Sequence, residues 1–232
     1  MKPYLIVASS LLILSMAASP LIQATDISSA KIETIDSHID FGYIPIGFNF
    51  IHYFKITNVG RGNLIINKLV PNCDCTNVFP SDTLIKPGDT ADIKIVFGTE
   101  NYFGPNTRHI SVYSNDPVDS VVLLEYTSYI GAYPDSLKIH PRSLFFLPGH
   151  TSKDISLANF SAENVAFNVI LEKDSLFTVN VFNGKINRSK PFQLTVSPKP
   201  DLPRGTHETN LTIDYETEKR EKISIPIKIV KY

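Results

Sequence analysis

The stretch Phe50-Ile51-His52-Tyr53-Phe54-Lys55-Ile56-Thr57 decides the fold class. Its even-numbered positions carry two phenylalanines, a histidine and an isoleucine, and a period of two is that of a β-strand with one buried face. Residues 58–63 follow it with two glycines and two asparagines, which tolerate the positive φ of a tight turn. This part of the chain therefore predicts a strand that ends in a turn.

The same pattern recurs from residue 38 onward. Turn sequences such as Lys86-Pro87-Gly88-Asp89 and Ser114-Asn115-Asp116-Pro117 separate short segments of alternating hydrophobicity. About seven short strands fit into the first half, which is typical of an immunoglobulin-like sandwich. Residues 128–134 contain Gly and Pro and predict a boundary, after which the plan repeats in weaker form. No segment has the pattern of an amphipathic helix of normal length.

We therefore predict an all-β protein of two tandem immunoglobulin-like β-sandwich domains, at residues 31–133 and 134–232. A signal peptide at residues 1–24 is predicted before them, because Lys2 precedes an apolar run from residue 5 to residue 18. Cleavage near Ala18 or after Ala24 fits equally well. The run is shorter than the about 20 apolar residues that span a bilayer, although an uncleaved anchor is the alternative. We expect an exported chain in the periplasm, at the cell surface or secreted, with no membrane span once the signal is removed.

Charge and cysteine content limit the class of partner and the source of stability. The chain has 22 Lys and Arg against 23 Asp and Glu, a net charge of −1, and its basic residues are scattered. Binding of nucleic acid rests on clustered basic residues, so we predict no nucleic-acid partner. Two cysteines are too few for a disulfide scaffold, so apolar burial must stabilise the fold.

Both cysteines lie in Asn72-Cys73-Asp74-Cys75-Thr76, one residue apart. In an extended strand their Cα atoms would be about 6.5–7 Å apart, at or beyond the usual range for a disulfide. Three alternatives stay open: structural thiols, free or disulfide-bonded; a copper or zinc site; and a reducible redox disulfide. The structural alternative is favoured because the chain has no C-x-x-C motif and no second metal cluster. A closed zinc site would need added ligands, for which the candidates are His38, His52 and His109, whereas a two-coordinate Cu(I) site would need none.

Five short blocks in the first half resemble a bacterial family of exported immunoglobulin-like modules, domain of unknown function 1573. That family is similar to hydin-type, major-sperm-protein-like and pilus-chaperone-like sandwiches. Asp74 stands where the family usually carries glycine, and the second half lacks the blocks. The resemblance implies the fold and an exported setting, and it brings no activity or catalytic residues. The blocks are Ile39–Ile44, Phe54–Gly60, Asn72–Thr76, Ile85–Gly88 and Ser114–Asp116.

No set of residues in the sequence resembles a nucleophile with its base, and no cofactor motif is present. We therefore expect a non-enzymatic module, without a cofactor, that binds another envelope or surface protein or has a structural role there. Sheet edges and the loops at residues 71–80 and 101–107 are the expected contact surfaces. The alternatives are a copper-, zinc- or redox-active protein that uses Cys73 and Cys75, and a pilus-chaperone-like folding helper.

Overall fold

The computed structural model describes residues 29–232, which form β-strands joined by turns. The predicted signal peptide lies outside these residues. No helix in the described part of the chain is long and apolar enough to cross a membrane. The strands are β1 Ile32–Thr34, β2 His38–Ile44, β3 Asn49–Asn58, β4 Leu64–Pro71, β5 Thr76–Pro80, β6 Leu84–Ile85, β7 Thr90–Gly98, β8 Gly104–Ser114, β9 Val121–Ile130, β10 Leu137–His140, β11 Leu144–Phe146, β12 Lys153–Asn159, β13 Val165–Leu171, β14 Phe177–Val179, β15 Asn183–Ile186, β16 Phe192–Pro198, β17 Gly205–Glu216 and β18 Arg220–Lys231.

Three sheets contain these strands. A large sheet has the order β15-β13-β17-β18-β2-β9-β8-β4-β6, with β11 paired to β18, and two four-stranded sheets have the orders β1-β3-β7-β5 and β10-β12-β16-β14. Each small sheet contributes side chains to an apolar cluster that the large sheet completes. The predicted all-β class with sandwich-like sheets is therefore confirmed.

The strand order repeats with a shift of nine strands. The small sheet β1-β3-β7-β5 corresponds to β10-β12-β16-β14, and β6-β4-β8-β9 in the large sheet corresponds to β15-β13-β17-β18. The parallel pair of β2 with β9 corresponds to the parallel pair of β11 with β18. We call residues 29–130 the N-terminal half and residues 137–232 the C-terminal half.

Two buried asparagines mark the same repeat in side-chain detail. Asn58 donates from Nδ2 to the carbonyl oxygens four and 27 residues later, those of Gly62 and Ile85, both at 2.8 Å. Asn159 donates at the same two offsets, to Glu163 and Ile186, at 2.7 and 3.0 Å. Each half thus has the same buried amide at the end of the same strand, while the domain bounds at residues 133 and 134 stay a prediction.

Each half has its own apolar core, built from the alternation that the sequence predicts. In β7, Ala91, Ile93, Ile95 and Phe97 are at most 2 % exposed, whereas the residues between them are half-buried. Full burial of a side chain the size of Ile or Phe stabilises the fold by about 1.5–3 kcal/mol. The N-terminal core uses residues 30–130 and the C-terminal core uses residues 137–229.

The strand β3 departs from a simple alternation at Ile51. The sequence pattern places Ile51 on the exposed side, but it is 1 % exposed. The C-terminal half lies against this position, where the side-chain oxygen of Asn210 on β17 accepts a 2.8 Å hydrogen bond from the Ile51 N–H. Glu172 likewise accepts a 3.0 Å bond from the Tyr53 N–H. Side chains of the C-terminal half therefore cover this edge of β3.

A proline marks the gap in the large sheet between the two halves. On one side, β18 pairs with β2 at Ile223 and with β11 from Ile227 onward. Pro226 lies between these two partners, where the strand has no neighbour on that side. Because proline lacks an N–H donor, it fits this unpaired position, as the sequence predicts.

Candidate functional site

The two cysteines lie on a turn between β4 and β5 and are joined by a disulfide. Their Cα atoms are 5.2 Å apart, closer than an extended strand would place them, because the backbone turns here. Main-chain hydrogen bonds hold both ends of this turn in place. The Asn72 N–H donates to the His109 carbonyl at 3.0 Å, and the Gly98 N–H donates to the Cys75 carbonyl at 2.9 Å. The predicted contact loop at residues 71–80 is therefore a short turn followed by strand β5.

Two hydroxyl groups lie behind the disulfide. Thr76 Oγ1 is 3.3 Å from Cys73 Sγ and 3.7 Å from Cys75 Sγ. It also forms a hydrogen bond with the hydroxyl of Tyr126, a residue that is 1 % exposed. Burial raises the pKa of Tyr126 to about 12, although the hydrogen bond with Thr76 and the nearby charge of Arg108 act to lower it. Tyr126 therefore keeps its proton at neutral pH.

The candidate metal-binding histidines are dispersed. His38 lies 3.8 Å from Glu125, and His52 lies 3.1 Å from Glu172. His109 is next to the cysteine turn, where its Nδ1 is 3.2 Å from Asn72 Nδ2. Within residues 29–232, no three side chains among His, Cys, Asp and Glu are grouped in a way that suits a metal ion. In the disulfide form, Cys73 and Cys75 also lack the thiolates that bind soft metals.

A groove between the two halves is a second candidate site that the sequence pattern does not predict. Its volume is about 470 Å³, within the range of ligand pockets. Its rings are Phe48 and Phe145, which are 37 % and 45 % exposed. The groove lies beside the gap at Pro226 and is lined by Gly47, Phe48, Asn49, Gly98, Thr99, Glu100, Ser143, Leu144, Phe145, Glu208, Pro226, Ile227 and Lys228.

The strand β11 forms one wall of this groove and has an unpaired edge. Among the described strands, β11 pairs only with β18, so its other side keeps free main-chain donors and acceptors. Glu208 lies at the opposite wall, where it accepts bonds from Lys228 at 3.0 Å and Asn49 at 3.2 Å. Burial would raise the pKa of Glu208, but these bonds outweigh it and lower the pKa. The groove thus combines an open strand edge, two aromatic rings and a carboxylate that stays charged.

A buried carboxylate joins the halves on another side of the molecule. Glu221 accepts hydrogen bonds from the hydroxyls of Tyr215, Ser136 and Tyr43, at 3.0, 3.1 and 3.4 Å. Lys219 Nζ lies 2.9 Å from the same carboxylate. Burial would raise the pKa of Glu221, but these donors outweigh it and lower the pKa. Both carboxylate oxygens of Glu221 have hydrogen-bond partners, which indicates a structural role.

One family model matches the first half of the chain, over the disulfide turn and the strands that flank it. Residues 32–127 match the family model for a protein of unknown function, DUF1573. The resemblance drawn from the five sequence blocks is thus confirmed. The DUF1573 region includes β1 to β8 and most of β9, and the match leaves out the groove-lining strand β11. No curated protein matches the chain.

Several solved structures align with this chain at low sequence identity. A protein of unknown function from Porphyromonas gingivalis W83 is 10% identical with a TM-score of 0.33, over 85% of this chain and 99% of that one. The ASH/PapD-like domain 7 of human CEP192 is 15% identical with a TM-score of 0.38, over 52% of this chain and 100% of that one. The CupB2 chaperone of Pseudomonas aeruginosa is 9% identical with a TM-score of 0.33, over 83% and 98%. Similarity this low supports no conclusion about function.

Proposed function

We propose that the protein is an exported, non-enzymatic binding module that takes up an extended segment of another envelope or surface protein in the groove beside β11. The observation that carries this proposal is the unpaired edge of β11. An extended segment can add to such an edge through main-chain hydrogen bonds, while pockets for alternate side chains provide specificity. Phe48 and Phe145 are suited to line those pockets, since both rings are partly exposed in the groove.

The internal repeat supports the choice of this edge. In the N-terminal half, the strand that corresponds to β11 is β2, and its outer side is already met by β18 at Gly42. Ser224 Oγ strengthens that meeting by donating to the Phe41 carbonyl at 2.7 Å. The corresponding side of β11 has no strand beside it within the described residues. A strand from a partner would therefore complete the second repeat as β18 completes the first.

Three other edges, those of β3, β5 and β6, suit a partner less well. The outer side of β3 is covered by Asn210 and Glu172, which accept bonds from its N–H groups. The edge strand β6 has only two residues, and β5 ends in Pro80, which has no N–H to donate.

Peptide selection tests the proposal directly. A library of random linear peptides is panned against the protein, and selected peptides are titrated against the protein and against Phe145→Glu. We expect binding about tenfold weaker or worse in the variant, because an aromatic anchor in a groove contributes about 1.4 kcal/mol or more. Leu123→Glu is the matched control, since Leu123 is a 54 % exposed apolar residue on β9, outside the groove lining. Selected peptides that bind Phe145→Glu and the protein equally would contradict this function.

Export is a separate part of the proposal and rests on the apolar run at residues 5–18. The full chain, expressed with its first 24 residues, should appear outside the inner membrane with a new N-terminus near residue 19 or residue 25. N-terminal sequencing of the fractionated protein measures this. An intact Met1 in the cytoplasmic fraction would contradict export without affecting the groove.

A further inference from the structure

We propose that the Cys73–Cys75 disulfide is a thiol–disulfide exchange site at which Thr76 and Tyr126 stabilise the thiolate that leaves. The co-reactant is a dithiol, such as a protein with two neighbouring thiols, and the site is independent of the groove. The disulfide lies on an exposed turn of the N-terminal half, with Asp74 in solvent between the two cysteines. This assigns an activity to a motif that peptide binding in the groove does not use.

The hydroxyls of Thr76 and Tyr126 are placed to stabilise a negative charge on sulfur. The disulfide carries no such charge, which forms only when the disulfide is reduced. A hydroxyl has one proton to donate, and Thr76 Oγ1 is in reach of both sulfurs and of the Tyr126 hydroxyl. When Tyr126 donates to Thr76, the Thr76 proton is free to point at sulfur. A disulfide sulfur accepts weakly, whereas a thiolate accepts strongly. The pair therefore stabilises the reduced state and the transition state that leads to it more than the disulfide.

A positive charge lies beside the same pair. Arg108 on β8 is the cross-strand partner of Tyr126, and its charge acts on the Tyr126 hydroxyl. Its guanidinium packs over the Tyr102 ring, 5.3 Å from the centroid, while Nε is buried without a hydrogen-bond partner. A neighbouring guanidinium favours the thiolate form of cysteine. The exposed carboxylate of Asp74 opposes this effect from the solvent side.

Packing selects the sulfur that is attacked. Cys75 packs against the N-terminal core, so Cys73 is the sulfur farther from that core. The incoming thiolate attacks Cys73 Sγ, the S–S bond breaks, and its electron pair leaves on Cys75 Sγ, which lies 3.7 Å from Thr76 Oγ1. The second thiolate of the co-reactant then attacks its own sulfur in the mixed disulfide. Cys73 leaves with that electron pair and takes a proton from solvent, so two electrons pass from the dithiol to this site.

Reduction kinetics of the native protein test the proposal. Dithiothreitol is the probe, the reaction is quenched with iodoacetamide, and alkylated Cys73 and Cys75 are counted by mass spectrometry. We expect Thr76→Val to slow reduction by about tenfold, because a hydrogen bond to a charged group is lost. Thr76→Ser keeps the hydroxyl and should restore the rate. Thr57→Val, at an exposed hydroxyl on β3 that pairs with Thr90, should leave the rate unchanged.

The acidity of the reduced protein separates stabilisation of the thiolate from a structural effect. Thiolate absorbance during a pH titration should show a Cys75 pKa below the ordinary value of about 8.5, raised again in Thr76→Val. If Thr76→Val does not fold, the titration of the unsubstituted protein decides alone. Reduction that requires denaturant, equal rates in the valine and serine variants, or a Cys75 pKa at or above the ordinary value would each overturn the proposal.

Discussion

At the scale of single residues, the buried carboxylate of Glu221 is the group that most needs hydrogen-bond donors in place of water. It is held by three hydroxyls and an ammonium group that come from both halves and from the segment between them. A buried carboxylate costs free energy unless such donors replace water. The alternating pattern of β17 and β18 places Glu221 at a hairpin, but it gives no sign that Tyr43, 178 residues earlier, donates to it.

Glu221→Gln should lower the free energy of unfolding at pH 7 by about 1–3 kcal/mol, because hydrogen bonds to a charged acceptor are lost. The pKa of Glu221 is lowered in the folded state, so its contribution is complete above the unfolded pKa of about 4.3 and is lost as pH falls through the folded pKa. The deficit of the variant should therefore shrink in acid. Urea unfolding at pH 7 and pH 3 measures it.

Glu218→Gln is the matched control, because Glu218 is exposed in the same hairpin. Its free energy of unfolding should differ little from that of the unsubstituted protein at either pH. A deficit in Glu221→Gln that is as large at pH 3 as at pH 7 would contradict a role for the charged carboxylate.

At the scale of elements, the edge of β3 is closed by side chains and not by another strand. Asn210 Oδ1 and Glu172 Oε1 accept from alternate N–H groups of β3, at 2.8 and 3.0 Å. An uncovered edge strand is a template for pairing with another chain. The two side chains therefore protect β3 while they attach the C-terminal half to it.

Asn210→Ala should lower the free energy of unfolding by about 1–3 kcal/mol, since a buried N–H loses its acceptor. It should also increase dimer formation, because the Ile51 N–H becomes available to a second chain. Chemical denaturation and light scattering after size-exclusion chromatography measure the two effects. Asn168→Ala, at an exposed position on β13, is the control and should change neither. A stable, fully monomeric Asn210→Ala would show that the amide does not protect the edge.

A strand can be predicted from the sequence when its own apolar and polar residues alternate, and β7 is the best case. Prediction from the sequence fails where contacts between distant segments decide the structure. The Ile51 N–H bonds to Asn210 on β17, 159 residues later, and the turn at Cys73 depends on His109 and Gly98. The groove is missed for the same reason, because its walls come from separate stretches between residues 47 and 228. Only Pro226, a proline within a strand, indicated where the sheet opens.

At the scale of the whole molecule, the halves share one sheet through a crossing of β2 and β18. Gly42 lies at this crossing with a φ of +65°, and a Cβ there would overlap the main chain of Lys222. Glycine is needed for both the left-handed backbone and the close approach. The crossing is therefore a position where a single added methyl group would disturb the contact between the two halves.

Gly42→Ala should lower the free energy of unfolding by at least about 2 kcal/mol more than Gly88→Ala. Gly88 is the matched control because its φ is +83° but no atom lies within 4 Å of the added Cβ. The difference between the two variants therefore reports the overlap and not the backbone strain that both share. Calorimetry measures it, and small-angle scattering should show a longer particle for Gly42→Ala. Equal losses of unfolding free energy in the two variants would mean that the crossing of β2 and β18 adjusts to the methyl group without separating the halves.

The position of β18 has a consequence for synthesis. It follows every other described strand, yet it lies inside the large sheet, with β17 on one side and β2 and β11 on the other. During translation the N-terminal core can form well before residue 220 is made, but the C-terminal core lacks four buried residues of its cluster until β18 arrives. Over that interval both β2 and β17 present open edges to the crowded surroundings of the ribosome. The nascent chain therefore passes through a vulnerable stage that a holding chaperone would shorten or shield.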